Sequence, residues 1–511
     1  MTPIQRRPWA VVLILTACFA PPQQPAAQQS APAAPAAPPP SPQAARLQAA
    51  AATPPVALPP ELEAYRPAVT ALLQEGLARG EAYDKLAMLT KLAPHRLSGS
   101  PGAAAAVEWA RDRMLRDGLQ NVRLVPCMVP HWERGKVASL RIVAPEDVAG
   151  ERLTILALGG SIATPPEGTT AEVVEVKSWD QLDKIGDGAK GKFVFFDRPM
   201  DPTLFEYGAA YGGAVDQRGR GAIEAARHGG VGAIVRTMTT RLDDVPHTGA
   251  MRYDDKVPQV PSVAVSTMGA ERLSALLARG PVKVRLDLDS HSEPDAPSAD
   301  VVGEIVGTEK PDEIVLLGGH LDCWDVGQGA NDDGGGACQA IEALRLIKAL
   351  DLHPKRTIRA VAFMNEENGG RGAKAYADSV KDALDKHVLA IESDGGVGAP
   401  RGFGASCTPE ALAVLRSIAL MLEPAGVGEM KDGGGGADID PLREAGGVAV
   451  AAFRADTQHY FDLHHSERDT LDTVWPREIN LGAAAMAALA YVVADRDEPL
   501  PHGPVPAPST H

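Results

Sequence analysis

The chain has 511 residues, 44% hydrophobic and 23% charged, an ordinary globular composition that excludes disorder over most of its length. Fifty lysines and arginines stand against 66 aspartates and glutamates, a formal net charge of −16. So acidic a surface repels phosphate backbones and argues against a nucleic-acid partner. At roughly 100–200 residues each, two or three domains fit.

Arg6 and Arg7 precede an apolar run, Trp9–Leu15, which is too short to cross a bilayer core of ~30 Å. A positive n-region and a short h-region read as an export signal. Leu15-Thr16-Ala17-Cys18 resembles a bacterial lipobox, so residues 1–18 are expected to be a lipoprotein-type signal with Cys18 lipidated. An ordinary signal cut after Ala20 or Ala27 is the alternative. Both export the protein, to the periplasm and an outer-membrane anchor or into the medium. Contact with a membrane is expected only through that anchor. Residues 19–60, almost all Ala, Pro, Gln and Ser, bury too little apolar surface to offset chain entropy and read as a linker. The remaining cysteines, Cys127, Cys323, Cys338 and Cys407, are too few and scattered for a disulfide framework and read as buried free thiols.

Amphipathic helices are expected over 61–77 and 102–116, flanking the loop Arg96–Gly102. Residues 150–290 change rhythm to many short strands with frequent Gly and Pro and one helix, 221–228. From 312 onward strands (313–317, 357–364, 388–391, 447–453) alternate with helices (334–350, 371–384, 409–422, 479–494). This predicts an α/β fold, a mainly parallel or mixed sheet sandwiched by helices, interrupted by a β-rich insert. The expected boundaries are 61–145 and 293–500 for the main domain, 146–292 for the insert and 501–511 for a tail. Gly186–Lys192 fits a GxxxxGK pattern, but Phe193 replaces the needed Ser/Thr and the segment precedes a strand rather than following one, so it reads as a turn. The glycine run 433–436 lacks phosphate-loop context as well.

Polar residues collect after the strands: His320 and Asp322, Asp332 at the start of the next helix, Glu366 and Glu367, Asp394, then His464 and His465. In an open α/β sheet the strand carboxyl ends meet at one edge, where sites form. Neutral imidazoles with carboxylates and no thiolate suit zinc or a similar divalent ion. Two ions sharing one carboxylate need about five ligands. His320 and Asp394 can hold one, Glu367 and His465 the other, and Asp332 can bridge. Glu366, next to a ligand but free, is placed as the general base toward water. Asp322 can accept the second N–H of the His320 imidazole and fix its tautomer.

The stretches SIATPPEGTTAEV, PHTG, GGHLDCWDVGQGANDDGGGA, PKRTIRAVAF, ESDGG and HHSERDT resemble the M28 family of co-catalytic zinc peptidases over about residues 60–500. The resemblance implies a zinc-peptidase fold with a protease-associated (PA) domain as the insert, ligands His320, Asp332, Glu367, Asp394 and His465, and Glu366 as base. It also implies two zinc ions, cleavage of dipeptides or of C-terminal residues from short peptides, and a homodimer. The family pattern His-Ser/Thr-x-x-Asp-Thr selects His465 over His464, which faces substrate or packs. Cys323 and Asn365 stand where serine and alanine are usual. Walls restricting the cleft are expected from the 433–438 loop, where Asp438 can meet a free substrate amine or cap the loop, and from Pro246–Gly249 with His247. An aminopeptidase and a metal-free receptor-like binding protein are the competing functions.

Overall fold

The computed structural model describes residues 58–501. The expected signal with Cys18, most of the linker and all but the first residue of the tail lie outside them. The main sheet has eight strands in the order Gln120–Glu133, His291–Ile305, Arg356–Phe363, Lys310–His320, His387–Glu392, Val450–Ala455, Pro400–Ser406, Glu429–Asp432. From Arg356–Phe363 to Val450–Ala455 neighbours run parallel, while antiparallel pairs flank this block on both sides. The fold is therefore mixed α/β, with its parallel strands at the centre.

Alternation along Ile314–Leu317 explains the layers. Val315 and Leu317 face one apolar core, shared with the helices Arg66–Arg79, Gly335–Ala349 and Pro476–Asp495. Ile314 and Leu316 face a second, with Tyr376 and Leu442. Covered on both faces, the strand reads as one continuous apolar run. Pro476–Asp495 is long and apolar enough to cross a membrane, yet Ala483–Ala490 are wholly buried, so its composition is that of a core helix. It lies so close to Arg66–Arg79 that a Cβ on Gly76 would stand 2.6 Å from the Ala484 Cβ. The expected helix over 61–77 is two helices, Pro60–Glu63 and Arg66–Arg79. Pro67 lacks the N–H a helix interior needs and is tolerated in the first turn of the second. The helix Pro101–Arg116 starts where expected, with Ser100 Oγ accepting from the Ala103 N–H at 3.1 Å.

The chain leaves the main sheet along Gln120–Glu133 and returns along His291–Ile305, an antiparallel ribbon pairing Glu133 with His291. Between these strands residues 138–288 build a second eight-stranded sheet. Its first strand, Ala138–Ala144, lies before the expected boundary at 146. The insert also has more helix than expected: Trp179–Ile185, Tyr207–Gly212, Asp216–Arg227 and Thr267–Leu277. Its parallel strands Phe193–Phe196, Gly232–Arg236 and Ser262–Val265 need crossovers; the helices Tyr207–Gly212 and Asp216–Arg227 supply the first, and a loop over 237–261 supplies the second.

Candidate metal centre

Four neighbouring parallel strands deliver the site. His320 ends Lys310–His320; Glu366 and Glu367 follow Arg356–Phe363; Asp394 follows His387–Glu392; His464 and His465 follow Val450–Ala455. Asp332 lies in the irregular turn Ala330–Gly334 that opens the helix Gly335–Ala349.

Asp332 stands between two histidines. Its Oδ1 is 3.4 Å from His320 Nε2 and its Oδ2 3.2 Å from His465 Nε2. Asp394 Oδ1 approaches His320 Nε2 at 3.5 Å, and Glu367 Oε2 approaches His465 Nε2 at 3.0 Å. The structure thus brings together all five residues of the expected set. Two overlapping groups, His320 with Asp332 and Asp394, and Asp332 with His464 and His465, each have ligand atoms within 4.8 Å of one another. His320 Nε2, Asp332 Oδ2 and Glu367 Oε1 are buried without a hydrogen-bond partner, which is costly unless something else satisfies them. Glu366 differs: its side chain is 24% exposed against 1% for Glu367, and it approaches His320 Nε2 at 3.9 Å.

The charges follow from burial. Burial opposes ionisation of Asp332, but the facing imidazoles of His320 and His465 prevail and hold its carboxyl well below the usual range. Burial pushes Glu367 well up, with Asp332 adding to it. Burial raises Glu366 to about 7, against the pull of His320 and with the push of Asp394 and Asp332.

Surrounding groups hold these side chains. The Asp322 carboxylate accepts the backbone N–H groups of Asn365 and Glu366 at 2.7 and 3.2 Å through Oδ1, and that of Glu367 at 3.3 Å through Oδ2. The expected bond to His320 is made differently: Nδ1 is 3.0 Å from the main-chain oxygen of Asp322 and 3.7 Å from its carboxylate. The short turn leaves the carboxylate to the three N–H groups, and the carbonyl sets the tautomer instead. Asp333 accepts from the His320 and Gly336 N–H groups at 2.9 and 3.0 Å. Asp469 accepts from the Asn331 and Asp332 N–H groups at 2.7 and 3.1 Å. Arg96, fully buried, donates to the carbonyls of Leu321, Gln328 and Gly329. Asp333 and Arg96 were missed in the sequence. Asp333 adjoins a singled-out residue, but nothing local marks Arg96, because its partners lie more than two hundred positions away.

The expected substrate-facing residues are mostly enclosed. His464 stacks on His465, ring centroids 3.5 Å apart, within a cage of Tyr211, Tyr460 and Phe461; its Nε2 is 3.5 Å from Asp332 Oδ2. His247 is buried with neither ring nitrogen partnered, and burial, then His465, push it down to about 3. Asp438 is 1% exposed with both carboxyl oxygens unpartnered, while its N–H donates to Glu392 Oε2 at 3.1 Å. A cavity of about 230 Å³ opens beside Asp394, lined also by Gly435, Gly436 and Thr457 and by Glu206 and Gly208 of the insert. Cys323 Sγ packs where a Gly329 Cβ would stand, and the four described cysteines are free thiols.

The insert reaches the site. The Thr248 N–H of PHTG donates to the His465 carbonyl at 2.9 Å, and Trp324, 5.7 Å from the His465 ring, fills the place a Cβ on Gly159 would occupy at 1.8 Å. Arg134 pairs with Asp325 and lies 3.4 Å from Thr248 Oγ1.

This sheet edge, with its histidines and carboxylates, is that of a zinc-peptidase fold, and peptidase family M28 matches residues 300–490. The chain is 38% identical to carboxypeptidase Q of Mus musculus over 85% of this chain and 90% of that one, and 39% identical to carboxypeptidase Q of Bos taurus over 83% and 88%. It belongs to peptidase family M28 and is a metallopeptidase related to carboxypeptidase Q. The crystal structure of a peptidase M28 precursor from Shewanella amazonensis SB2B is 35% identical with a TM-score of 0.82, covering 87% of this chain and all of that one. BSAP, a zinc aminopeptidase from Bacillus subtilis, shares the fold at 19% identity and a TM-score of 0.61 over 82% and 95% of the two chains.

Proposed function

We propose that the protein is an exported two-metal exopeptidase for dipeptides and short peptides. The single observation that carries this is Asp332, whose two oxygens face two separate histidine–carboxylate pairs. The donor set fits zinc: imidazoles and carboxylates, no thiolate, and orphaned buried atoms aimed inward. His320 and Asp394 would hold one ion, Glu367 and His465 the other, with Asp332 shared. When bound, the ions polarise the scissile carbonyl and acidify the attacking water.

Glu366, the more exposed of the two adjacent glutamates, takes the water's proton and passes it to the leaving amine. Asp322 keeps both glutamates in place through their backbone N–H groups. His464 supports the His465 ring by stacking. Likeness to carboxypeptidase Q supports cleavage beside a free C terminus. The insert acts as a PA-type wall of the cleft. Export through residues 1–18, anchoring at Cys18 and a homodimer complete the reading.

Metal analysis of the protein loaded with zinc tests it. Two ions per chain are expected; Asp332→Ala should lose both, and Glu367→Ala should keep about one. One ion, or none, in the unmutated protein would overturn the shared site. Glu366→Ala should keep both ions and hydrolyse dipeptides roughly 10²–10⁴-fold more slowly; near-normal turnover would remove it from the role of base.

A further inference from the structure

Arg96, Leu97 and Ser98 are consecutive and buried, and each side chain enters a different part of the molecule. Arg96 meets the loop that joins His320 to Asp332. From Leu321 to Gly329 that loop has neither helix nor strand, so its main-chain carbonyls need partners from elsewhere. Each nitrogen of the guanidinium donates to one of them: Nε to Leu321, Nη1 to Gln328 and Nη2 to Gly329. Leu321 directly follows His320, and Gly329 opens the turn that carries Asp332. Gly329 and Gly334 make room for the group, since a Cβ on either would stand 2.8 or 2.5 Å from Nη2. The acceptors are all neutral carbonyls. A buried cation held this way is a costly way to gain stability, but its rigid planar fork fixes three acceptors relative to one another.

Ser98 meets the turn of the two glutamates. Its hydroxyl donates to Asn368 Oδ1 at 2.7 Å and accepts from Asn365 Nδ2 at 2.9 Å, and the same amide group donates to Asn368 Oδ1 at 2.5 Å. Asn365 Oδ1 in turn accepts the Arg371 N–H at 3.2 Å. Asn365 and Asn368 bracket Glu366 and Glu367 in sequence, so the three side chains close a triangle across the segment that carries both. Between Arg96 and Ser98, Leu97 packs in the apolar cluster of the insert with Trp132 and Trp324.

We infer that Arg96 and Ser98 are positioning residues. Arg96 sets Asp332 against His320, Ser98 sets Glu366, and the one short stretch that carries both keeps the base in register with the metal-binding edge. This rests on the two-metal peptidase reading above and adds what holds its two halves together. Both side chains act through the loops they hold, with no covalent step.

The test uses the zinc-loaded full chain, unmutated and as Arg96→Lys, Ser98→Ala, Asn365→Ala and the double variant of the last two. Hydrogen exchange is read in peptides over 321–334 and 364–370, beside zinc titration and dipeptide turnover. Arg96→Lys keeps the charge and loses the fork, so exchange should speed up in 321–334 and zinc affinity fall about 10- to 100-fold. Ser98→Ala should speed exchange in 364–370 and, at saturating zinc, lose about 10- to 100-fold in kcat with KM unchanged. Because Ser98 acts through Asn365, the double variant should be no slower than Asn365→Ala alone. Unchanged zinc affinity in Arg96→Lys, unchanged kcat in Ser98→Ala, or exchange that rises evenly over the whole chain overturns the inference. If no peptide is hydrolysed, the peptidase reading fails alone, and zinc affinity with the exchange pattern decides for or against the two residues. If Arg96→Lys does not fold, Ser98→Ala decides: faster exchange confined to 364–370 together with the fall in kcat supports the inference, and the absence of either overturns it.

Discussion

Asp300 lies beneath the turn that carries the two glutamates, wholly buried, with Oδ1 accepting the Met364 N–H at 2.9 Å and Oδ2 unpartnered. Burial pushes its carboxyl up from 3.8 to about 8. The folded chain therefore holds this proton over a range where the unfolded chain has released it. The contribution to stability is complete below 3.8 and is lost as pH rises toward 8. Asp300→Asn keeps an acceptor for Met364 and removes the titration, so its denaturant midpoint should fall less between pH 4 and pH 8 than that of the unmutated protein. An equal fall in both would show that other groups set the slope. Asp322 marks the limit of legibility at this scale. Spacing placed it beside His320, but whether carboxylate or carbonyl meets Nδ1 depends on the backbone path of a tight turn, which residue types do not encode.

Among elements, those facing the core on both sides were the easiest to read. The apolar runs of the central strands and of Pro476–Asp495 report burial directly, so the alternation of strands with helices and a shared sheet edge were legible, while the order of the strands in the sheet was not. Where a local rule competed with the apolar pattern, the rule won: Pro67 cut one expected helix in two. The insert's helices were harder: only 221–228 of Asp216–Arg227 was expected, because the element opens with Asp, Gln and two of its three arginines, and its buried face mixes Gln217 and Glu224 with Gly and Ala. The contact of Trp324 with Gly159 belongs to this scale too, since it docks a loop of the main body onto the insert. Gly159→Ala has no room for its Cβ, and displacement of Trp324 should cost about 1–3 kcal/mol in global stability. On the proposed two-metal reading it should also weaken binding at His465 more than at His320, because the indole packs 5.7 Å from the His465 ring. Stepwise zinc titration checks this; equal weakening of both ions would count against the docking role.

At the scale of the whole molecule the five-residue set was legible because four parallel strands share one edge, and any polar residue just past them must arrive there. The sequence placed Pro246–Gly249 of the insert at the cleft as a wall, but not its contact with His465. Its PHTG loop holds the His465 carbonyl, and its Arg218 lies 3.2 Å from Nδ1 of that ring, so removing the insert would strip a proposed metal ligand of support rather than merely widen the cleft.

The ribbon that carries the insert also bears on how the chain reaches this shape. Gln120 pairs with Glu304 and Glu133 with His291, contacts that an unfolded chain could form only by closing a very long loop. Once the insert has folded, Ala138 and Leu288 are already neighbours, and the closure that remains spans a few residues, with a correspondingly smaller entropy loss. The insert should therefore acquire protected amides before the strand Arg356–Phe363 does in pulse-labelled refolding, and simultaneous protection would speak against that order. Loosening the insert would then show first as slow and error-prone maturation, with less enzyme made rather than a poorer enzyme.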